Sequence, residues 1–243
     1  MGIIPAFAGR LLRFFLPWAC AGCRGALLST DDQGFCGRCW LSVPRIQGLV
    51  CQACGVPLKD GGLRCYPCRQ APPPLLVRAA TEYRGVIPPA IYRFKYAGRK
   101  SLAGPLGALL RFAWERSPEL GGVQGIIPVP LFRTVEQARG FNQAELLAAR
   151  LAAGAALPLL PLLVRTRRTR SQYELNRAER RDNVRSAFAL HPYMASRTAL
   201  LKDRAFLLVD DICTTASTLA ECALALRRAG VKSVKALVLA RDL

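Results

Sequence analysis

Apolar runs alternate with helical patterns along the chain from residue 76 onward. Short apolar runs, typical of strands buried on both faces of a sheet, occur at residues 76–83, 125–130, 159–164, 206–209 and 233–240. Between them, apolar residues at helical spacing predict helices over residues 88–96, 102–115, 142–153 and 219–229. Strands that alternate with helices imply an α/β fold built on a largely parallel sheet with right-handed crossovers.

The first 70 residues have a different pattern. Residues 3–18 are apolar but interrupted by Arg10 and Arg13, so they predict a short amphipathic helix that covers part of the core, and not an export signal. Three consecutive prolines at 72–74 predict a stiff linker over residues 70–77. We therefore expect a small module at 1–70 and an α/β domain at 71–243.

Eight of the ten cysteines fall in the small module, as four Cys-x-x-Cys pairs. The pairs are Cys20/Cys23, Cys36/Cys39, Cys51/Cys54 and Cys65/Cys68. Two residues between thiolates allow one tight turn to present both sulfurs to one ion, and two such turns complete the tetrahedral shell that Zn²⁺ favours. Disulfides would need an oxidising compartment, and iron–sulfur clusters usually have less regular spacings. We expect two zinc sites.

The ligand sets of these two sites can be drawn in two ways. Sequential pairing, with residues 20, 23, 36 and 39 in one site and 51, 54, 65 and 68 in the other, is simpler than interleaved pairing, but both remain open. Four protein ligands leave no position for a substrate, so the zinc should be structural. Cys213 and Cys222 stand outside the scheme.

The stretch from Phe206 to Thr218 carries the clearest chemical signal. An apolar strand leads to Asp210 and Asp211, and a run of small and hydroxyl residues then enters a helical pattern; the run is Thr214, Thr215, Ala216, Ser217 and Thr218. Ligands of open α/β sheets bind at the carboxyl ends of strands, and N–H groups at a helix N-terminus bind phosphate. Carboxylates beside a phosphate site can accept hydrogen bonds from ribose hydroxyls and help to hold Mg²⁺.

This stretch resembles the 5-phosphoribosyl-1-pyrophosphate (PRPP) motif of the type I phosphoribosyltransferases. The resemblance implies that Asp210 and Asp211 contact the ribose and that residues 214–218 hold its 5-phosphate. The family usually has glycine where this chain has Ala216. Glycine permits a positive φ and close approach of a ligand, whereas alanine adds a methyl group and a conformational cost.

The chain is strongly basic, with 35 Lys and Arg against 16 Asp and Glu and a formal charge of +19. Residues 165–185 alone contain eight arginines and three acidic residues. Arginine binds phosphate oxygens bidentately, so this segment could face a polyanion; an ordinary solvated basic surface is the other interpretation. The single histidine, His191, excludes a catalytic triad or a histidine-rich metal centre.

The motifs together resemble the ComF family of competence-associated proteins, which combine a zinc ribbon with a phosphoribosyltransferase-like domain. The matching segments, in family order, are the paired cysteines, residues 94–98, 128–131, 139–143, the 167–183 segment and the Asp-Asp-Thr-Thr motif. By this resemblance, residues 128–133, with Pro128 and Val129, correspond to the loop near the pyrophosphate, Arg139 is a further PRPP-binding residue, and Arg167 and Arg168 belong to a loop that closes over the site. The family also implies a link to uptake of single-stranded DNA in natural transformation.

Two classes of function remain open. The protein could be a phosphoribosyltransferase that uses PRPP with Mg²⁺, in DNA uptake or nucleotide metabolism, or a non-catalytic PRPP sensor that binds single-stranded DNA or DNA-processing proteins. The paired acids favour the first class, because a protein that only binds DNA gains nothing from carboxylates beside phosphate. The chain has no run of 18 apolar residues, so the sequence predicts no membrane span. We expect a cytoplasmic protein.

Overall fold

Four parallel strands form the central sheet of the protein. The computed structural model describes residues 18–27, 34–58, 61–168 and 184–243. The sheet has the order β3 (Leu76–Glu82), β8 (Ser233–Arg241), β7 (Ala205–Cys213) and β4 (Ile126–Pro128). All three pairings are parallel, and both central strands are buried over most of their length. The predicted α/β class and parallel sheet are confirmed.

Helices cover both faces of this sheet. The cysteine-rich part of the chain contains the short helices α1 (Gly37–Leu41) and α2 (Tyr66–Gln70). In the rest of the described chain they are α3 (Ile87–Tyr96), α4 (Ala103–Glu115), α5 (Arg133–Arg139), α6 (Gln143–Ala155), α7 (Pro192–Ala195) and α8 (Ser217–Arg228). Short 3-10 turns lie at Lys100–Leu102, Pro118–Leu120 and Thr198–Leu201. Helices α3, α4, α6 and α8 occur where the periodicity predicts them.

Two apolar clusters lie on the two sides of the sheet. One joins inward residues of α3, α4 and α6 to alternate residues of the strands, including Leu207 and Val209. The other joins α8 to the opposite residues, including Phe206 and Leu208. This alternation is what a strand with both faces covered requires.

The apolar run at 159–164 does not form the strand that its sequence predicts. Leu159 makes a single parallel bridge to Ile126, and the regular strand β5 (Leu163–Arg165) begins later. β5 pairs antiparallel with β6 (Phe188–Leu190), outside the central sheet. Apolar content alone does not predict which strand a segment pairs with, because the same run could be buried beside β4 or beside β6.

The cysteine-rich part packs directly on the sheet. It contains a short hairpin of β1 (Trp18–Ala19) and β2 (Ala26–Leu27), and its buried residues Phe35 and Val43 share a core with α3 and α4. The backbone N–H of Ile46 donates to the Ala80 carbonyl, 3.0 Å away. Residues 76 and 77 of the expected linker already belong to β3. The boundary near residue 70 stays a prediction, but the parts on its two sides share one core.

No helix within the described ranges is long and apolar enough to span a membrane. The predicted amphipathic helix over 3–18 lies outside the described residues, apart from Trp18 in β1. The arginines at positions 170, 177, 180 and 181 of the basic segment also lie outside the described residues.

Candidate functional site

The two adjacent acids, Asp210 and Asp211, lie inside the carboxyl-terminal half of β7. The sequence places them just after the strand, but β7 continues to Cys213 because its pairing with β8 continues to Arg241. Both residues are buried, with exposed fractions of 8% and 4%. Consecutive residues of a strand point to opposite faces, so one carboxylate lies on each side of the sheet near its carboxyl edge.

Asp211 faces Lys95, the penultimate residue of α3. The Lys95 Nζ lies 2.5 Å from Asp211 Oδ2, and the two side chains are 12% and 5% exposed. Lys95 is held there by its neighbour Phe94, which is fully buried and contacts the ring of Phe141. The ion pair with Lys95 compensates the burial of the Asp211 carboxylate.

Asp210 has a different electrostatic environment. Burial raises the pKa of Asp210, the negative charge of Asp211 adds to this, and Lys95 opposes it; the resulting pKa is about 8. The Asp210 carboxylate oxygen also accepts a hydrogen bond from the backbone N–H of Asp211, at 2.8 Å. At neutral pH the pair therefore carries a proton. Its full negative charge would develop when a cation or a donor group enters the site.

The loop after β7 leads into a helix N-terminus, the arrangement that the sequence predicts for a phosphate site. Residues 214–216 connect β7 to α8, whose first N–H groups have no partner within the helix. Thr215 Oγ1 and Ser217 Oγ lie 2.8 Å apart at the mouth of the loop. Ala216 takes a left-handed conformation, with φ 61° and ψ 10°, directly before α8. This position requires the positive φ for which the related motif uses glycine.

The segment after β4 lies beside the acids. Pro128 pairs with Val209, the residue before Asp210, and the Val129 N–H donates to the Val209 carbonyl at 3.0 Å. Asn142 fixes this segment, because its Nδ2 donates to the Val129 carbonyl at 3.0 Å. The structure therefore brings Pro128 and Val129 to the same sheet edge as the acids.

The predicted arginines occupy two different places. Arg139 ends α5, and its guanidinium lies over the ring of Tyr96, next to Lys95, with 5.1 Å to the ring centroid. Arg167 and Arg168 follow β5 and are exposed. Arg167 Nη2 donates to the Arg185 carbonyl at 2.7 Å. Arg139 thus lies beside α3, and its part in ligand binding, like the closure of the arginine-rich segment over the site, stays a prediction.

The eight N-terminal cysteines gather into two separate clusters. One contains Cys20, Cys23, Cys36 and Cys39, the other Cys51, Cys54, Cys65 and Cys68, and the sulfurs of each cluster lie within 4.8 Å of one another. Two sulfur pairs, Cys23/Cys36 and Cys54/Cys65, are 3.9 and 3.6 Å apart. Four thiolates about 2.3 Å from a tetrahedral zinc ion are about 3.8 Å apart. Pairing is sequential, and both clusters are consistent with structural zinc.

The electrostatics of the clusters also fit a cation. Burial raises the pKa of the Cys20 thiol, but hydrogen bonds from the backbone N–H groups of Cys36, Cys23 and Gly22 outweigh it and lower the value to about 6. In the same cluster, burial and the neighbouring thiols raise the pKa of Cys39 to about 12. The second cluster repeats this, since Cys51 is lowered to about 6 and Cys54 raised to about 11. Ionisation of one thiol in a cluster thus opposes ionisation of its neighbours, and a bound Zn²⁺ would offset the repulsion between the thiolates.

Two residues near the site were not assigned from sequence. Lys95 lies within the segment that resembles the ComF family, and its place in that segment was the available signal. Arg241, at the end of β8, lies beside the loop after β7, and its Nη1 is 2.6 Å from Cys213 Sγ. A single basic residue at a strand end has no spacing that marks it in the sequence.

Two domain models match the chain. A double zinc ribbon domain matches residues 11–69 and a phosphoribosyl transferase domain matches residues 138–243. The first range contains both cysteine clusters, and the second contains the acids and the loop after β7. Each match therefore coincides with a part of the structure that has the corresponding geometry.

Several proteins are similar over nearly the whole chain. DNA utilization protein YhgH of Escherichia coli (strain K12) is 32% identical over 94% of this chain and 99% of its own length. Competence protein F of Haemophilus influenzae is 32% identical over 93% of this chain and 98% of its own length. Competence protein ComFC of Bacillus subtilis (strain 168) is 27% identical over 57% of this chain and 60% of its own length.

Among solved structures, a glutamine PRPP amidotransferase from B. subtilis, complexed with ADP and GMP, superposes with a TM-score of 0.38. The superposition covers 60% of this chain and 30% of that chain, at 14% identity. A likeness of this strength supports no conclusion about the site.

Proposed function

Because this chain belongs to the ComF family, whose members join a double zinc ribbon to a phosphoribosyltransferase domain, we propose that it binds PRPP with Mg²⁺ and uses it as a phosphoribosyl donor. The observation that carries the proposal is the burial of Asp210 and Asp211 at the strand edge from which the phosphate loop begins. A phosphate loop alone would fit many ligands. Paired acids beside it fit a sugar phosphate, because carboxylates accept hydrogen bonds from its hydroxyls and stabilise the positive charge that develops on the ring during transfer.

The residues have distinct proposed roles. Residues 214–218 bind the 5-phosphate through N–H groups and hydroxyls, and this remote contact orients the reacting ribose. Asp210 and Asp211 accept hydrogen bonds from the ribose hydroxyls and stabilise positive charge on the ring as pyrophosphate leaves. Mg²⁺ would be held by oxygen ligands at the acids and would neutralise the pyrophosphate. Pro128 and Val129 shape the surroundings of the pyrophosphate, and Arg139, Arg167 and Arg168 supply positive charge to it.

The reaction proposed is displacement of pyrophosphate from the ribose by a nucleophile. The names of the relatives, DNA utilization and competence proteins, connect the family to DNA handling. We propose that the phosphoribosyl acceptor or the biological partner is linked to uptake of DNA. Eight reduced cysteines bound to zinc also favour a cytoplasmic location, where thiols stay reduced.

Calorimetric titration of PRPP in the presence of Mg²⁺ tests the binding step. The wild type should bind, and the double variant Asp210→Asn/Asp211→Asn should lose Mg²⁺-dependent binding while it stays folded at the temperature of the titration, although its unfolding temperature falls because Lys95 loses its partner. Asp203→Asn, at an exposed position of the same domain, is the matched control for loss of charge. PRPP binding of unchanged affinity in the double variant would show that the site is assigned wrongly. Pyrophosphate release against a panel of bases then tests transfer.

A second candidate function, binding of single-stranded DNA, is favoured by one surface. Tyr92 and Tyr96 on α3 are 63% and 59% exposed, and their ring centroids lie 5.2 Å apart. Arg139 covers the ring of Tyr96, and Lys100 lies 5.2 Å from the centroid of Phe141. Exposed rings beside cations bind the bases and phosphates of single strands. We keep the non-catalytic adaptor as the alternative on this observation.

A further inference from the structure

Arg241, the last residue of β8, lies beside the second cysteine cluster. It is 7% exposed, and it lines a cleft together with three of the four cysteines of that cluster, Cys54, Cys65 and Cys68. Within the described ranges, no carboxylate oxygen lies within 4.0 Å of its guanidinium. The thiols of the second cluster are therefore the counter-charge of this buried arginine.

The interaction matters equally to the cluster. Burial raises the pKa of the Cys54 thiol, and Arg241 is among the groups that oppose this rise. Four thiolates outweigh the charge of one Zn²⁺, so a zinc-loaded cluster is a net anion. Cys51, Cys54 and Cys68 are buried, and a buried net charge is costly unless an opposite charge lies near it. Arg241 supplies such a charge.

The first cysteine cluster has an arginine in a corresponding place. Arg99 follows α3, and its Nη1 donates to the carbonyl of Ala19, the residue directly before Cys20, at 2.6 Å. Burial and the neighbouring charge of Arg93 lower the pKa of Arg99, and the charge of Cys20 opposes them. Arg99 thus stands to the first cluster as Arg241 stands to the second.

Both arginines belong to the α/β domain, and the cysteine-rich module has no equivalent of its own among its described residues. Its half-buried arginine, Arg45, lies over the ring of Trp40, with 5.1 Å to the centroid. Its other described arginines are exposed, so that water and salt screen their charge; they are Arg24, Arg38, Arg64 and Arg69. Compensation of the clusters therefore comes from outside the module.

We propose that Arg99 and Arg241 are outer-sphere residues of the first and second zinc sites, and that each raises the zinc affinity of its own cluster. The physical reason is the sign of the charge change. A zinc-loaded cluster carries more negative charge than the metal-free one, so a cation beside it favours the loaded state. Outer partners of metal ligands typically contribute about 10- to 100-fold in affinity. The inference concerns zinc alone and does not depend on PRPP.

Competition with a chelator of known zinc affinity tests the inference in full-length chains that keep one cluster intact. Cys51→Ser leaves the first cluster, and Cys23→Ser leaves the second. In the Cys23→Ser chain, Arg241→Gln should lower the zinc affinity about 10- to 100-fold, and in the Cys51→Ser chain less than about twofold. Arg99→Gln should give the opposite pattern, so each arginine is the control for the other.

A variant that keeps the charge separates electrostatics from packing. Arg241→Lys and Arg99→Lys should hold zinc more tightly than the corresponding glutamine variants, because the cation remains. An arginine that only fills space or holds the backbone would be replaced equally badly by both residues. Arg228→Gln removes one positive charge from the exposed surface of α8 and should change neither affinity more than about twofold.

Unfolding temperatures of the zinc-loaded chains identify a variant that fails to fold. If a chain with one cluster does not fold, zinc release is followed in Arg241→Gln with all eight cysteines present, where one of the two ions should leave at a lower chelator concentration than in the wild type. If Arg241→Gln itself does not fold, the less buried Arg99 decides the question. Affinities within about twofold of the parent chain overturn the inference, as do equal losses at both clusters or in the lysine and glutamine variants.

Discussion

Lys95 of α3 and Asp211 of β7 form a buried ion pair, with 2.5 Å between Nζ and Oδ2. They are 116 positions apart in sequence, so the pair forms only once α3 has packed on the sheet. It connects the helix that carries Tyr92 and Tyr96 to the strand that carries the acids. The packing of α3 thereby controls the charge state of the candidate site.

Lys95→Met should destabilise the protein, because it leaves the Asp211 carboxylate buried without a counter-ion. Removal of one partner of such a pair costs roughly 3–5 kcal/mol of unfolding free energy. Urea unfolding of the wild type and the variant measures this. The double variant Lys95→Met/Asp211→Leu should recover most of the loss; no recovery would mean that Lys95 acts through packing alone.

PRPP binding with Mg²⁺ should strengthen with pH up to about 8, because the pKa of Asp210 is about 8 in the free protein. Below this value the free protein holds a proton that the ligand must displace. The affinity should therefore rise about tenfold per pH unit between pH 6 and 7.5 and level off above pH 8. Calorimetry in Hepes and Tris, which differ in ionisation enthalpy, measures the released proton. In Asp210→Asn, any remaining binding should release none, and a proton still released there would assign it to another group.

Ala216→Gly should stabilise the protein by about 1 kcal/mol, because an alanine with φ 61° is strained and glycine is not. It should also keep or increase the affinity for PRPP, since it removes a methyl group from the loop. Ala156→Gly is the matched control, as Ala156 has φ 51° at the end of α6. Both variants should gain stability in urea unfolding, but the control should leave PRPP binding unchanged. A loss of stability in Ala216→Gly would contradict the strain.

The protein should contain two Zn²⁺ per chain when purified without chelator, as measured by atomic emission. Cys51→Ser should retain one ion, from the first cluster, because each cluster supplies its own four ligands. Cys222→Ser, at a buried cysteine outside both clusters, should retain two. Protein with no zinc, or a Cys51→Ser variant with two ions, would be incompatible with these ligand sets.

Single-stranded DNA should bind with a salt dependence that reports a short basic surface. The slope of log K against log salt is about −0.7 per phosphate neutralised, and we expect roughly −2 to −4. Tyr96→Ala should weaken binding at every salt concentration without changing the slope, since stacking is independent of salt. Tyr193→Ala removes a similarly exposed ring from α7 and is the control. Absence of binding at low salt would leave the adaptor function without support.

The sequence predicts the helices, the strands and the cysteine ligands better than it predicts the contacts between distant segments. Periodicity locates α3, α4, α6 and α8, and the cysteine spacing identifies the metal ligands, because both signals are local. It does not show that Asp210 and Asp211 lie within a strand, since that depends on how far β8 extends beside them. Nor does it identify Lys95 or Arg241, whose positions depend on contacts between distant segments.

The cysteine-rich module also covers an open edge of the sheet. β3 is one of the two edge strands of the sheet, and Arg45 pairs with Thr81 while the Glu82 N–H donates to the Pro44 carbonyl at 2.9 Å. A bare strand edge invites pairing with another molecule, and proteins usually protect it. Loss of zinc would loosen the segment that provides this protection. The first sign of metal depletion should then be self-association through β3, at concentrations where the zinc-loaded protein stays dispersed.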